Sequence, residues 1–159
     1  MKKGLKMKAK LCLVASQGGH IEELWQLKEL RERYDYYLVV PKTAWTQKLE
    51  CKKIFIHDLN RKNILTKIFS GLCMMVEQVP ILLKNPADFV ITTGAAVAIP
   101  ICIYAKIFGK KVIYIESMAR ITSPSNTGRL MYKIADLFIV QWKELLDFFP
   151  KAVYGGSIY

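Results

Sequence analysis

Two short loops hold the residues with the most chemical potential. Ser16-Gln17-Gly18-Gly19-His20 follows an apolar run at residues 11–15, and Glu116-Ser117-Met118-Ala119-Arg120 follows another at 112–115. The first loop sets two glycines at the start of an amphipathic stretch. Helix N-termini present unpaired N–H groups backed by the helix dipole, which suits a phosphate. Gly18 and Gly19 let the backbone approach such a ligand with no Cβ in the way, although a tight strand-to-helix turn uses glycines equally well. His20 stands at the mouth, able to donate to a phosphate or accept a proton. The second loop carries an acid, a hydroxyl and a guanidinium within five residues. Glu116, directly after a buried strand, is costly unless it is paired or opens into a cleft. Either it forms an ion pair with Arg120 that holds the loop, or it orients or deprotonates a hydroxyl while Arg120 meets a phosphate. Thr92-Thr93-Gly94 ends a third run. Gly94 there opens another helix N-terminus, or serves a close helix–strand contact.

The elements that must position these loops alternate along the chain. Strands are expected at residues 11–15, 36–40, 53–57, 89–93, 112–115 and 137–140. Helices are expected at 21–33, 43–50, 64–83, 94–108, 127–135 and 143–149. Such alternation predicts an α/β fold, a Rossmann-like parallel sheet with helices on both faces. Ligands bind at the carboxyl edge of such a sheet, where the loops fall. The dinucleotide fingerprint is absent, since positions 16, 18 and 21 are Ser, Gly and Ile. Val39-Val40-Pro41-Lys42 also lacks the acid that would hold a ribose, so nicotinamide binding is not expected.

A chain of 159 residues with 52% hydrophobic composition fits one domain at 11–159 behind a basic tail at 1–10. The net charge of +11 calls for an anionic partner. Nucleic acid is set aside because no motif or aromatic–basic platform supports it. Cys12, Cys51, Cys73 and Cys102 show no metal-ligand spacing and read as buried free thiols, and no cofactor is implied. Lys2, Lys3, Lys6, Lys8 and Lys10 precede an apolar run far shorter than the ~20 residues of a membrane span. The 64–83 stretch contains Lys67 and Glu77, and a central charge costs roughly 2.5–3.5 kcal/mol on insertion. With Arg61, Lys62, Lys67 and Lys84 around it, this helix either packs as a crossover or lies in a lipid interface through Phe69, Leu72 or Met75. The location expected is cytoplasmic, peripheral on the inner face of the cell membrane.

Three segments together resemble a known family: Glu116 to Arg120; Thr127-Gly128-Arg129-Leu130; and Ala135-Asp136-Leu137-Phe138-Ile139-Val140-Gln141-Trp142. They are similar to the membrane-recruiting subunit of the two-subunit UDP-N-acetylglucosamine transferase of dolichol-linked oligosaccharide synthesis. They look still more like its bacterial counterparts in capsule and exopolysaccharide assembly. A more distant likeness runs to the MurG-type transferase, whose N-terminal domain has a similar glycine-glycine-histidine loop. The resemblance implies the acceptor-side half of a split GT-B glycosyltransferase, ending near Gly155-Gly156 where a fused enzyme would enter its donor domain. It implies a donor-binding partner subunit that brings a UDP-sugar, and a polyprenyl-diphosphate-linked sugar as acceptor at an anionic membrane surface. His20 and Glu116 are then the candidate bases for an inverting transfer. Ser16, Gly18, Gly19, Gly94, Ser117 and Arg120 are the candidate acceptor and diphosphate contacts. Phe148 to Tyr159 is the expected docking strip. A non-catalytic scaffold that recruits and activates its partner is the alternative, and a stand-alone nucleotide-binding enzyme is the other rival.

Overall fold

The computed structural model describes residues 7–58 and 63–159. The expectations placed on Lys2, Lys3, Lys6, Arg61 and Lys62 lie outside the described residues, as do the side chains of Lys8 and Lys67. One sheet contains β1 (Met7–Val14), β2 (Tyr34–Pro41), β3 (Lys53–Ile56), β4 (Phe89–Thr92), β5 (Lys111–Ile115), β6 (Leu137–Val140) and β7 (Val153–Tyr154). Their order is β3-β2-β1-β4-β5-β6-β7, and each pairing is parallel. The helices are α1 (Gly19–Gln26), α2 (Lys28–Arg33), α3 (Ala44–Lys48), α4 (Ile64–Lys84), α5 (Ile99–Ile107) and α6 (Asn126–Met131). This is the Rossmann-like arrangement expected, with the order reversing between β1 and β4.

The apolar runs are continuous because the central strands are buried on both sides. Side chains alternate across a strand, so each run feeds two cores. Cys12, Val14, Val90, Val112 and Tyr114 meet Met74 of α4 and Ile101 of α5 on one side. Leu11, Leu13, Ala15, Ile91 and Ile115 meet Ile21 and Leu24 of α1 on the other. Of the thiols, Cys12 and Cys102 are buried as expected, but Cys73 is exposed.

Several boundaries differ from the expectation. β1 starts at Met7, so residues 7–10 are strand and not tail. The helix expected over 21–33 breaks at Leu27, whose ψ of 55° is not helical. Arg31 spans the break, donating from Nη2 to the Trp25 carbonyl at 2.6 Å with its guanidinium 3.8 Å from the Trp25 ring centroid. No helix starts at Gly94. Gly94 and Ala95 both take positive φ, a 3-10 turn covers Ala96–Ala98, and α5 begins only at Ile99. Buried Gln78 of α4 fixes that turn, donating from Nε2 to Val97 O at 2.9 Å and accepting from Ile101 N at 3.1 Å. Residues 143–147 form a 3-10 turn in place of a helix, and β7 adds a short edge strand the sequence did not suggest.

Asp136, just before β6, ties three segments together. It accepts from Val112 N at 2.9 Å and pairs with Lys106 at 2.8 Å and Lys111 at 3.1 Å. Burial alone would raise its pKa, but these partners prevail and lower it from the ordinary 3.8 to about 2. Its contribution to stability is therefore complete above 3.8 and disappears as pH falls toward about 2. Asp136→Asn should flatten the pH dependence of unfolding free energy across that window in denaturant melts, where the wild type keeps losing stability.

Candidate functional site

β1, β4 and β5 lie side by side, so the loops that follow them share one carboxyl edge. The first is open. No side chain caps α1, Gly18 (φ 80°) and Gly19 are exposed, and a Cβ built on either would meet nothing within 4 Å. Ser16 is half-buried, its hydroxyl 3.2 Å from Gln17 O. The half-buried ring of His20 places Nδ1 2.9 Å from Thr93 O. A carbonyl only accepts, so Nδ1 carries the proton, and Nε2 of the neutral ring keeps a lone pair. Thr93 Oγ1 answers by donating to His20 O at 2.6 Å.

Of the two uses considered for the glycine of the middle loop, the helix start does not form and a close contact with α1 does. Gly94 is buried beneath the imidazole: a Cβ there would stand 3.1 Å from Cε1 and 3.2 Å from Nδ1 of His20. The next residue, Ala95, has φ 74° and ψ 144°. This lies close to a region that only glycine occupies comfortably, and such conformations cost on the order of 1–3 kcal/mol.

Glu116 is 1% exposed, and donors of its own chain satisfy it. Ser117 N lies 3.0 Å from Oε1, Ser125 Oγ 3.0 Å from both oxygens, and Ser125 N and Tyr114 OH each complete a bond at 3.3 Å. The ion pair considered with Arg120 does not form. Arg120 is exposed, and among the described residues its guanidinium has no ion-pair partner. Ser125 also caps α6 by accepting from Gly128 N at 2.8 Å. A Cβ on Gly128 would collide with Glu116 Oε2. Gln141 Nε2 donates to Glu116 O at 3.0 Å, and Trp142 Nε1 to Met118 O at 2.7 Å, anchoring the loop to the end of β6.

Glu23 is the residue that sequence reasoning missed. It is 4% exposed, and Oε1 accepts from Ser117 Oγ at 2.9 Å and Met118 N at 3.0 Å. Burial raises its pKa, against the opposing pull of those two donors and of His20, while Glu116 adds to the rise. The signal available was its place between Ile21 and Leu24, the two inward apolar positions of α1. The predicted residues thus separate into two groups. Gly18, Gly19, Arg120 and, in part, Ser16 and His20 face outward, whereas Gly94, Glu116 and Ser117 lie beneath them.

This parallel sheet and its loop-lined edge define a Rossmann-like half of a GT-B architecture. The fold matches MurG of Acinetobacter baumannii with a TM-score of 0.71 at 17% identity, over 86% of this chain and 42% of that one. It matches the UDP-N-acetylglucosamine 2-epimerase of Rickettsia bellii with a TM-score of 0.73 at 11% identity, over 94% and 45%. The chain therefore spans less than half of either solved chain. Residues 11–158 match the family described as "Oligosaccharide biosynthesis protein Alg14 like", and the chain belongs to that family.

Its relatives include proteins named UDP-N-acetylglucosamine transferase subunit ALG14. The human one is 30% identical, over 93% of this chain and 82% of its own length. The mouse one is 29% identical, over 94% and 82%. A yeast one, from Candida glabrata, is 60% identical over a 51-residue segment, 31% of this chain and 21% of its own. These eukaryotic relatives give no support to the capsule and exopolysaccharide setting expected from the sequence.

The buried carboxylate yields a direct test. Gly128→Ala forces a methyl group into Glu116 and should destabilise the chain by about 1–3 kcal/mol in urea melts. Ala substituted at exposed Gly19, where nothing crowds the new Cβ, should cost less.

Proposed function

We propose that this chain is the acceptor-binding, membrane-associating subunit of a split glycosyltransferase, acting on a polyprenyl-diphosphate-linked sugar. The observation that carries the reading is the state of His20. Its Nδ1–H is fixed on Thr93 O, which leaves Nε2 as the nitrogen available to a ligand beside an uncapped helix N-terminus. The names of the relatives favour UDP-N-acetylglucosamine as donor, delivered by a second subunit. The free N–H groups of the Gly18–Gly19 turn, Ser16 and exposed Arg120 supply the diphosphate contacts. An acceptor hydroxyl attacks the anomeric carbon, the bond from that carbon to the UDP oxygen breaks with inversion, and His20 Nε2 takes the hydroxyl proton. That requires Nε2 within about 2.6–3.2 Å of the hydroxyl, directly or through one water. Gly94, Glu116 and Ser117 support the site from below.

Membrane contact has its own support. Among the described residues no helix is long and apolar enough to cross a membrane. Yet α4 exposes Leu65, Phe69, Leu72 and Val76 along one stripe, with Met75 alongside. α4 meets the loop-bearing edge of the sheet at Glu77, which accepts from His57 N at 3.2 Å just after β3, so the stripe lies on the turns that precede that contact. An apolar stripe on a chain of net charge +11 suits an anionic lipid surface. On the partner side, Phe148, Val153, Tyr154 and Tyr159 remain exposed on the expected docking strip, but Phe149 belongs to the core.

The scaffold reading is favoured by one observation, the burial of Glu116, which removes one of the two candidate bases from reach. His20→Ala separates the readings. In the reconstituted complex it should lower transfer by about 10²–10⁴-fold with partner binding intact. Full activity of that variant would leave only the scaffold. Phe69→Glu with Val76→Glu should abolish co-sedimentation with anionic liposomes and leave partner binding unchanged. Undiminished co-sedimentation would refute the role given to α4.

A further inference from the structure

We infer that Glu23 is the electrostatic positioning residue of this site: a buried carboxylate that clamps the 117–118 loop onto α1 and holds negative charge against His20. The inference rests on the reading of His20 as proton acceptor.

The clamp is visible in the bonds from Ser117 Oγ and Met118 N to Oε1. The other oxygen, Oε2, is buried and has no hydrogen-bond partner among the described residues. A brace alone does not need this. A glutamine carbonyl would accept the same two bonds without carrying a charge out of water. Burial opposes the charge here, so an anion at this position is held at a cost to the fold. The groups acting on it are His20 from the same helix and Glu116 from the end of β5, while Tyr159 of the C-terminal segment senses both Glu22 and Glu23. Of these, only His20 can become a cation.

Glu23 sits three residues after His20, so the two share a face of α1. Nδ1–H is already committed to Thr93 O, so Glu23 acts through space and not as a hydrogen-bonded partner. When Nε2 takes the hydroxyl proton, the half-buried imidazolium forms opposite an anion fixed in the interior. Charge pairs are stronger there than in water and need no reorganisation at the moment of reaction.

The test uses the reconstituted two-subunit complex with a polyprenyl-diphosphate-linked sugar and UDP-N-acetylglucosamine. Glu23→Gln should lower kcat by about 10- to 100-fold, less than the loss of a general base itself. The KM for acceptor should change little, and the melting temperature at neutral pH should be unchanged or raised. Glu23→Asp should recover part of kcat. Because the Glu23 pKa is raised, kcat of the wild type should fall with acidification from above the ordinary carboxylate range, as the charge is lost. That limb should be missing in Glu23→Gln. Wild-type kcat in Glu23→Gln, or a kcat loss matched by a drop in melting temperature, would overturn the inference.

The Met118 amide resonance of the isolated chain gives a readout independent of transfer. It should titrate with pH above the ordinary carboxylate range in the wild type and stay still in Glu23→Gln. An inactive wild-type complex with a titrating Met118 would defeat only the proposed transfer. A Met118 resonance that does not titrate in the wild type would defeat the clamp.

Discussion

Everything at the carboxyl edge depends on how one buried carboxylate is satisfied. Glu116 leaves water at the end of β5, and an ionised carboxylate can only accept. Its donors must come from the protein, and they come from three places: Tyr114 on the strand, Ser117 on the loop and Ser125 at the entrance to α6. To deliver Ser125, the segment after residue 117 has to fold back over the strand end. The same hydroxyl caps α6, and Gly128 leaves the space in which the carboxylate sits. Gln141 then grips the Glu116 carbonyl from the end of β6. Leaving such a group unpaired would cost several kcal/mol, so the loop has little freedom to rearrange.

From Glu116 the polar linkage continues through Ser117 to Glu23 and so to α1, where His20 is locked to Thr93 by reciprocal bonds. The ends of β1, β4 and β5 are in this way fixed relative to one another by side chains inside the fold. The strain at Ala95 fits the same picture. A backbone held in that conformation persists only where its surroundings over-determine it. Here Gln78 secures the following turn, and Gly94 admits the imidazole. The outward-facing groups therefore rest on a frame already assembled before any ligand arrives, which lowers the ordering cost of binding.

The sheet was legible because its strands are apolar, short and separated by helices, and six of the seven were placed within a few residues. β7 was not, since two residues carry no period. Boundaries failed where a single side chain decides them: Arg31 closes the break at Leu27, and Gln78 holds the turn after Gly94. Glu116 was recognised as needing a partner, because burial of charge is a general rule. The partner considered, Arg120, was the nearest cation in sequence, whereas the actual donors include Ser125, nine residues away and brought back by the loop. No local spacing encodes that return. Glu23 went unrecognised for a related reason. Acids are so common in first turns that its place between the inward Ile21 and Leu24 carries little weight until the loop above it is seen.

The division between buried and exposed groups also bears on why the proposed acceptor is a lipid. The groups left outward at the edge are polar, and the apolar stripe of α4 lies on the turns that precede the helix's contact with that edge at Glu77. A small soluble diphosphate would engage only the first of these. An acceptor with a diphosphate head and a chain anchored in a membrane engages the loops while the stripe rests on the surrounding lipid. Once α4 is on the surface, capture of the headgroup becomes effectively intramolecular. Effective concentrations of that kind reach the mM range for short tethers. Weak contacts from Gly18, Gly19 and Arg120 are then sufficient. In the proposed reading the buried carboxylates serve geometry and electrostatics, and affinity is left to the membrane.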